Sequence, residues 1–144
     1  MIRIEERVQL SRPADEVFVF LADFRNLPAW DPGIVEATKT DRSDVVEVGS
    51  RYDVVASFLK QRVPMRYRVA VYDADARRAE LVGETPTLRA TDRIQVVPRG
   101  EGCEVHWQAD FEFKGPLRLG DFLMRPLMRR LGRTAMDGLR RRMS

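Results

Sequence analysis

Between Arg51 and Phe113 the chain changes polarity at every second residue, run after run, and this period constrains the fold more than any other feature. Tyr52, Val54, Ala56 and Phe58 alternate with Arg51, Asp53, Val55 and Ser57, and Met65, Tyr67, Val69 and Val71 are set against Arg66, Arg68 and Tyr72. A turn from Asp73 to Ala76 leads into a short strand near Arg77 to Gly83, which carries Leu81. Leu88, Ala90, Asp92, Ile94 and Val96 then alternate with Thr87, Arg89, Thr91, Arg93 and Gln95. Beyond the turn Pro98-Arg99-Gly100-Glu101-Gly102, Val105, Trp107, Ala109, Phe111 and Phe113 oppose Glu104, His106, Gln108, Asp110 and Glu112. Strands of this kind, joined by turn residues, build an antiparallel meander with one apolar face. That face has to be covered.

The cover is expected from the C-terminus. Gly115-Pro116 ends the sheet, and Leu119, Leu123, Leu127, Leu131, Ala135, Leu139 and Met143 then recur at every fourth position, as in a long amphipathic helix. Arg118, Arg125, Arg129, Arg133 and Arg140 lie mainly off that stripe, and Pro126 is expected to bend the helix or weaken the turn before it. At the other end Ile2, Ile4, Val8 and Leu10 alternate with charged neighbours and suggest an opening strand. Ser11 is placed to cap a helix, Pro13 suits its first turn, and Asp15 and Glu16 favour the positive end of its dipole. Val17, Phe18, Phe20 and Leu21 supply its apolar side.

The segment Asp23-Phe-Arg-Asn-Leu-Pro-Ala-Trp-Asp-Pro32 follows directly. Pro28 and Pro32 each lack an amide hydrogen and restrict the residue before them, so Trp30 is expected on a short helical turn or loop. An indole so placed is either a gate or a plug at the end of an ordinary core. Extended structure resumes from Ile34 to Thr40. The order is a strand, one or two short helices, about six more strands and a long closing helix. This predicts an α+β architecture in one domain over 1–144, a curved antiparallel sheet of six to seven strands around the C-terminal helix.

Composition removes several chemistries. Cys103 and His106, the only residues of their kinds, stand three apart in a strand and point to opposite faces, so they form no nucleophile and base pair. Two such residues cannot supply a zinc site, no clustered acidic loop suggests a carboxylate metal site, and neither metal nor cofactor is expected. A single cysteine forms no internal disulfide. No apolar run is long enough for a signal or a membrane span, which points to the cytoplasm. Charge is uneven: residues 114–144 hold nine Lys or Arg and two Asp, against 16 basic and 20 acidic residues in the first 113. A solvated arginine face on the closing helix accounts for this, as does docking on an anionic membrane. Nucleic acid is not expected, because no aromatic platform accompanies the arginines.

The inward set, with Trp107, Phe58, Phe111, Phe113, Tyr52 and Tyr67, either fills the interior or lines a cavity. Two tyrosines and an aspartate among apolar neighbours favour a cavity, since buried polar groups need partners that a ligand or water supplies. Trp30, Tyr52, Val54, Ala56, Phe58, Met65, Tyr67 and Val69 would line it on one side. Leu81, Asp92, Ile94, Trp107 and Phe111, with Leu123, Leu127 and Leu131 of the helix, would complete it. Asp92 is the sharpest candidate for chemistry: the only charged residue of its inward set, it gains acid or base capacity as burial raises its pKa. Tyr67 and Tyr52 could orient a carbonyl or phenol. The competing role for Asp92 is structural, paired with an arginine or backbone amides.

The order of elements, with Ser11-Arg-Pro-Ala-Asp-Glu-Val-Phe18, Trp30-Asp31-Pro32 and Val48-Gly-Ser-Arg-Tyr52, resembles the polyketide cyclase/dehydrase-like branch of the START and birch-pollen-allergen superfamily, the SRPBCC proteins. The resemblance spans nearly the whole chain. It implies a helix-grip fold with a deep hydrophobic cavity between sheet and C-terminal helix, and it sets Trp30 near the mouth. Members bind lipids, sterols, polyketides or plant hormones, and some cyclise or dehydrate bound polyketides. The expected function is therefore binding of a small hydrophobic molecule by a monomer or homodimer, and the alternative is a cyclase or dehydratase acting in the same cavity.

Overall fold

The computed structural model describes residues 1–115 and 120–143. Pro116, Arg118 and Leu119, which entered the expectations above, lie outside the described residues, as does Ser144. The elements are β1 (Ile2–Leu10), α1 (Ala14–Ala22), a single 3-10 turn (Phe24–Asn26), α2 (Leu27–Trp30), β2 (Ile34–Lys39), β3 (Arg51–Phe58), β4 (Gln61–Asp73), β5 (Arg78–Glu84), β6 (Leu88–Arg99), β7 (Gly102–Phe113) and α3 (Asp121–Met143). The strands form one antiparallel sheet in the order β1-β7-β6-β5-β4-β3-β2. Consecutive strands from β2 to β7 are neighbours, as the meander pattern predicts, and β1 closes the far edge beside β7. The two short helices carry the chain from one edge of the sheet to the other.

Alternation predicts the faces correctly along most strands. Ile2, Ile4, Val8 and Leu10 are buried while Arg3, Glu5, Arg7 and Gln9 are exposed. Cys103 is buried in the core and His106 sits on the outer face beside Glu104, so the two point apart. The outer face holds one buried acid: Asp110 accepts from Arg3 Nε at 2.8 Å and from Arg93 Nη1 at 2.6 Å, and the two guanidiniums close over it.

Three local expectations need correction. Helix α1 begins one residue after Pro13, which occupies the N-cap position without a side-chain cap, and the Val17 N–H donates to the Pro13 carbonyl at 3.1 Å. Ser11 therefore does not cap; proline's fixed φ of −59° starts the helix instead. In β4 the register slips between Val69 and Val71, so Val71 pairs with Glu80 and Tyr72 with Ala79. One extra residue reverses the faces beyond it, and Tyr72, expected outside, packs on Phe18 with ring centroids 5.4 Å apart.

The third correction concerns α3. A repeat of four residues drifts around a helix of 3.6 residues per turn by about 40° at each step, so a stripe at every fourth position cannot stay on one face. Met128, Ala135, Met136, Leu139 and Met143 are buried, whereas Leu123 is 78% exposed. Pro126 lies inside the helix, which runs on through it.

The inner face of the sheet is divided. Over one part, Val17, Phe18, Leu21 and Phe24 pack onto Tyr52, Val54, Val69, Leu81, Ile94 and Val105 in a filled core. Each fully buried side chain of this size contributes about 1.5–3 kcal/mol. Over the other part, Ile2, Ile4 and Met128 form a smaller cluster with Phe58, Phe111, Phe113, Met124 and Leu131. Helix α3 passes over β1 and meets α2. Gly138 makes that approach possible, because a Cβ there would run into the Trp30 carbonyl.

Candidate functional site

Between the filled core and the α3 cluster lies a cavity of about 500 Å³. Its sheet side is made by Ala56, Phe58, Val63 and Met65, then Tyr67, Asp92, Trp107 and Phe111. Its roof is made by Met128, Leu131, Gly132, Ala135 and Met136 of α3, and the short helices add Phe24, Leu27, Trp30 and Asp31. Three rings gather around Phe24: Tyr67 edge-on at 5.1 Å, Trp107 stacked at 6.5 Å and an interplanar angle of 10°, and Tyr52 tilted at 6.0 Å. Trp30 stands against Trp107 at 5.3 Å. Trp30 is only 4% exposed, so the indole is a wall of the cavity and not an outward flap. Its Nε1 is buried without a partner.

Of the residues expected to line a cavity, Trp30, Ala56, Phe58, Met65, Tyr67, Asp92, Trp107, Phe111 and Leu131 do so. Tyr52, Val54, Val69, Leu81 and Ile94 face the same side of the sheet but belong to the filled core. Phe24 and α1 occupy the space in front of that core. Leu123 and Leu127 lie off the cavity because of the helical drift described above. Much of the lining was missed, including Glu6, Phe24, Asp31 and the Met128 and Met136 face of α3. Glu6 carries a legible signal, since it shares parity with Ile2, Ile4, Val8 and Leu10 and pairs across the strand with Trp107. Asp31 and Phe24 lie in the segment already singled out, but nothing in its spacing aims them inward.

Two carboxyl groups give this apolar chamber its chemistry. The Trp107 Nε1–H donates to Asp92 Oδ1 at 3.1 Å. The Tyr67 hydroxyl donates to Met65 Sδ at 4.0 Å and has the Asp92 carboxyl as a neighbour. Burial pushes Asp92 up to about 6, against the opposing effect of the Trp107 and Tyr67 hydrogen bonds. Burial also raises Asp31, partly offset by the Gly33 N–H donating to its Oδ1 at 2.8 Å. The Tyr67 hydroxyl is held well above its ordinary value by burial and then by the neighbouring Asp92 charge. Gly83 seats the Tyr67 ring, since a Cβ at that position would fall 2.5 Å from Tyr67 Cζ. The arrangement offers a buried carboxyl poised near neutrality, with the Trp107 N–H donated to it and the Tyr67 hydroxyl beside it, inside mostly apolar walls.

Comparison with known proteins gives a consistent picture. A family profile described as polyketide cyclase / dehydrase and lipid transport matches residues 1–144. No curated protein matches the sequence significantly. Among solved structures, TTHA0849 from Thermus thermophilus is 18% identical with a TM-score of 0.81, covering 97% of this chain and 95% of that one. The di-domain ARO/CYC BexL from the BE-7585A biosynthetic pathway is 20% identical with a TM-score of 0.78, over 99% of this chain and 46% of its own. The Zhui aromatase/cyclase from Streptomyces sp. R1128 is 15% identical with a TM-score of 0.76, over 94% and 89% of the two chains. Likeness at these identities establishes the shared helix-grip fold.

Proposed function

The chain belongs to the polyketide cyclase/dehydrase and lipid transport family, and from that premise we propose that it binds a small hydrophobic molecule in the cavity between the sheet and α3. The observation that carries this reading is the cavity of about 500 Å³ walled by aromatic and aliphatic side chains. Filling it would remove those side chains from water at about 25 cal/mol for each Å² of apolar surface. The cytoplasm is the compartment this reading assumes. Native mass spectrometry of protein purified from its own host, followed by organic extraction, tests the proposal together with titration of the neutral dye Nile red. A carried lipid, sterol or polyketide, or saturable dye binding, is the expected outcome. An empty protein that also ignores the dye would sink the reading.

A second reading is catalysis in the same cavity, favoured by the Asp92, Tyr67 and Trp107 cluster and by the likeness to the aromatase/cyclases BexL and Zhui. Asp92 as carboxylate would take a proton from a methylene flanked by carbonyls. The resulting carbanion would add to a second carbonyl of the folded chain, and Asp92 would return the proton to the alkoxide formed there. Contact with an anionic membrane is a further part of the proposal. Its support is the start of α3, where Phe122 and Leu123 are 80% and 78% exposed and the exposed Arg125, Arg129 and Arg130 follow.

A further inference from the structure

The charged residues that line the cavity are, among the described residues, all of one sign. Glu6, Asp31 and Asp92 line it, and none of the described residues that line it is Lys, Arg or His. That is notable in a chain with 25 Lys and Arg among 144 residues. Nor does any described basic group form an ion pair with these three acids, although the fold supplies such partners elsewhere. Asp110 is buried on the opposite face of the same sheet and is held by Arg3 and Arg93. Asp23 is held by Arg25, and Asp41 by the buried Lys39. Outside the cavity a shielded acid receives a cation. Inside it, the hydrogen bonds these acids receive come from neutral N–H groups, Trp107 to Asp92 and the Gly33 backbone to Asp31.

A buried carboxylate without a cation is costly, and removing its missing partner from the protein leaves the partner to come from elsewhere. The walls favour a cation too. Trp30, Trp107, Tyr67 and Phe24 present aromatic surface around the same space, and a desolvated cation is attracted to such faces. The unpartnered Trp30 Nε1 adds a donor for an oxygen elsewhere on the ligand.

We propose that the ligand is an apolar amine, whose protonated nitrogen lies between the aromatic walls and pairs with Asp92 and Asp31. This rests on the binding reading above and narrows it. The same chamber disfavours molecules that would insert a carboxylate or phosphate, because those would face three acids and, among the described residues, no base.

Three probes of nearly equal shape separate the possibilities: 1-naphthylmethylamine, 1-naphthylmethanol and 1-naphthoic acid, titrated by calorimetry at about pH 7.5, where the amine is charged. The amine is expected to bind at least about ten-fold more tightly than the alcohol, with the acid weakest. Asp92→Asn is expected to shrink the amine's advantage over the alcohol to about two-fold or less, and Asp31→Asn to shrink it part of the way. Acid or alcohol binding as tightly as the amine would overturn the proposal, as would an amine preference untouched by either variant. Nile red binding alongside that result would leave the binding reading standing. Failure of the dye and all three probes would remove both.

Discussion

At the scale of single residues, Asp92 shows how a site is bought with stability. An ordinary aspartate titrates near 3.9, and burial lifts this one to about 6. Between those values the folded chain keeps a proton that the unfolded chain has released, so stability falls as pH rises through the window. Above it, the buried charge costs about 3 kcal/mol. Asp92→Asn keeps the shape and still accepts from Trp107, and is expected to raise Tm by several degrees at about pH 7.5. The gain should vanish at about pH 3, below both values, where the carboxyl is protonated in both states. Thermal unfolding followed by circular dichroism at the two pH values checks this. Equal stability of variant and parent at the higher pH would mean that the charge is compensated within the protein.

At the scale of elements, α3 is positioned by its small residues. Gly138 and Gly132 sit in the same helix, and replacing either with alanine favours helix by about 1 kcal/mol. Contacts then separate them. A Cβ at Gly138 meets the Trp30 backbone carbonyl, which cannot give way without moving α2, and overpacking of this kind costs about 1–3 kcal/mol. A Cβ at Gly132 comes within 2.8 Å of the Ile4 Cγ2 methyl, next to open cavity space. Gly138→Ala is therefore expected to lower Tm and disturb tryptophan fluorescence through Trp30, with Gly132→Ala the milder change. Denaturation of both variants in parallel tests the order, and the reverse order would show that α3 does not bear on α2 as described. Similar local geometry hid Tyr72: the bulge between Val69 and Val71 adds one residue to β4 but leaves no composition signal.

At the scale of the whole molecule, charge and apolar exposure coincide. The positive excess lies in the last 31 residues, and the start of α3 exposes Phe122 and Leu123 beside it. Burying two such side chains in a lipid interface is worth about 1.5–3 kcal/mol each, while the arginines supply attraction that salt weakens. Co-sedimentation is expected with vesicles containing phosphatidylglycerol and not with phosphatidylcholine alone. It should weaken in high salt and fall at least about ten-fold in the Phe122→Ser, Leu123→Ser double variant. Equal sedimentation with both vesicle types, or a double variant that binds like the parent, would return the arginines to a solvated face.

Much of this protein was legible in its residues. Period-two alternation from Arg51 to Phe113 specified the strands, their inward faces and the meander, because a strand's side chains alternate regardless of what lies above them. The same reasoning marked Asp92, Tyr67 and Trp107, which the fold brings together. Tertiary structure alone decided which part of the inner face stays open. Phe24 and α1 fill the space before Tyr52, Val54 and Leu81, while α3 vaults over Phe58, Met65 and Phe111, and strand parity is identical in both parts. It also decided that, among the described residues, the cavity's acids have no basic partner. Pairing between residues far apart in the chain depends on helix rotation and strand register, and a helix that drifts about 40° every four residues turns a regular spacing into a different face.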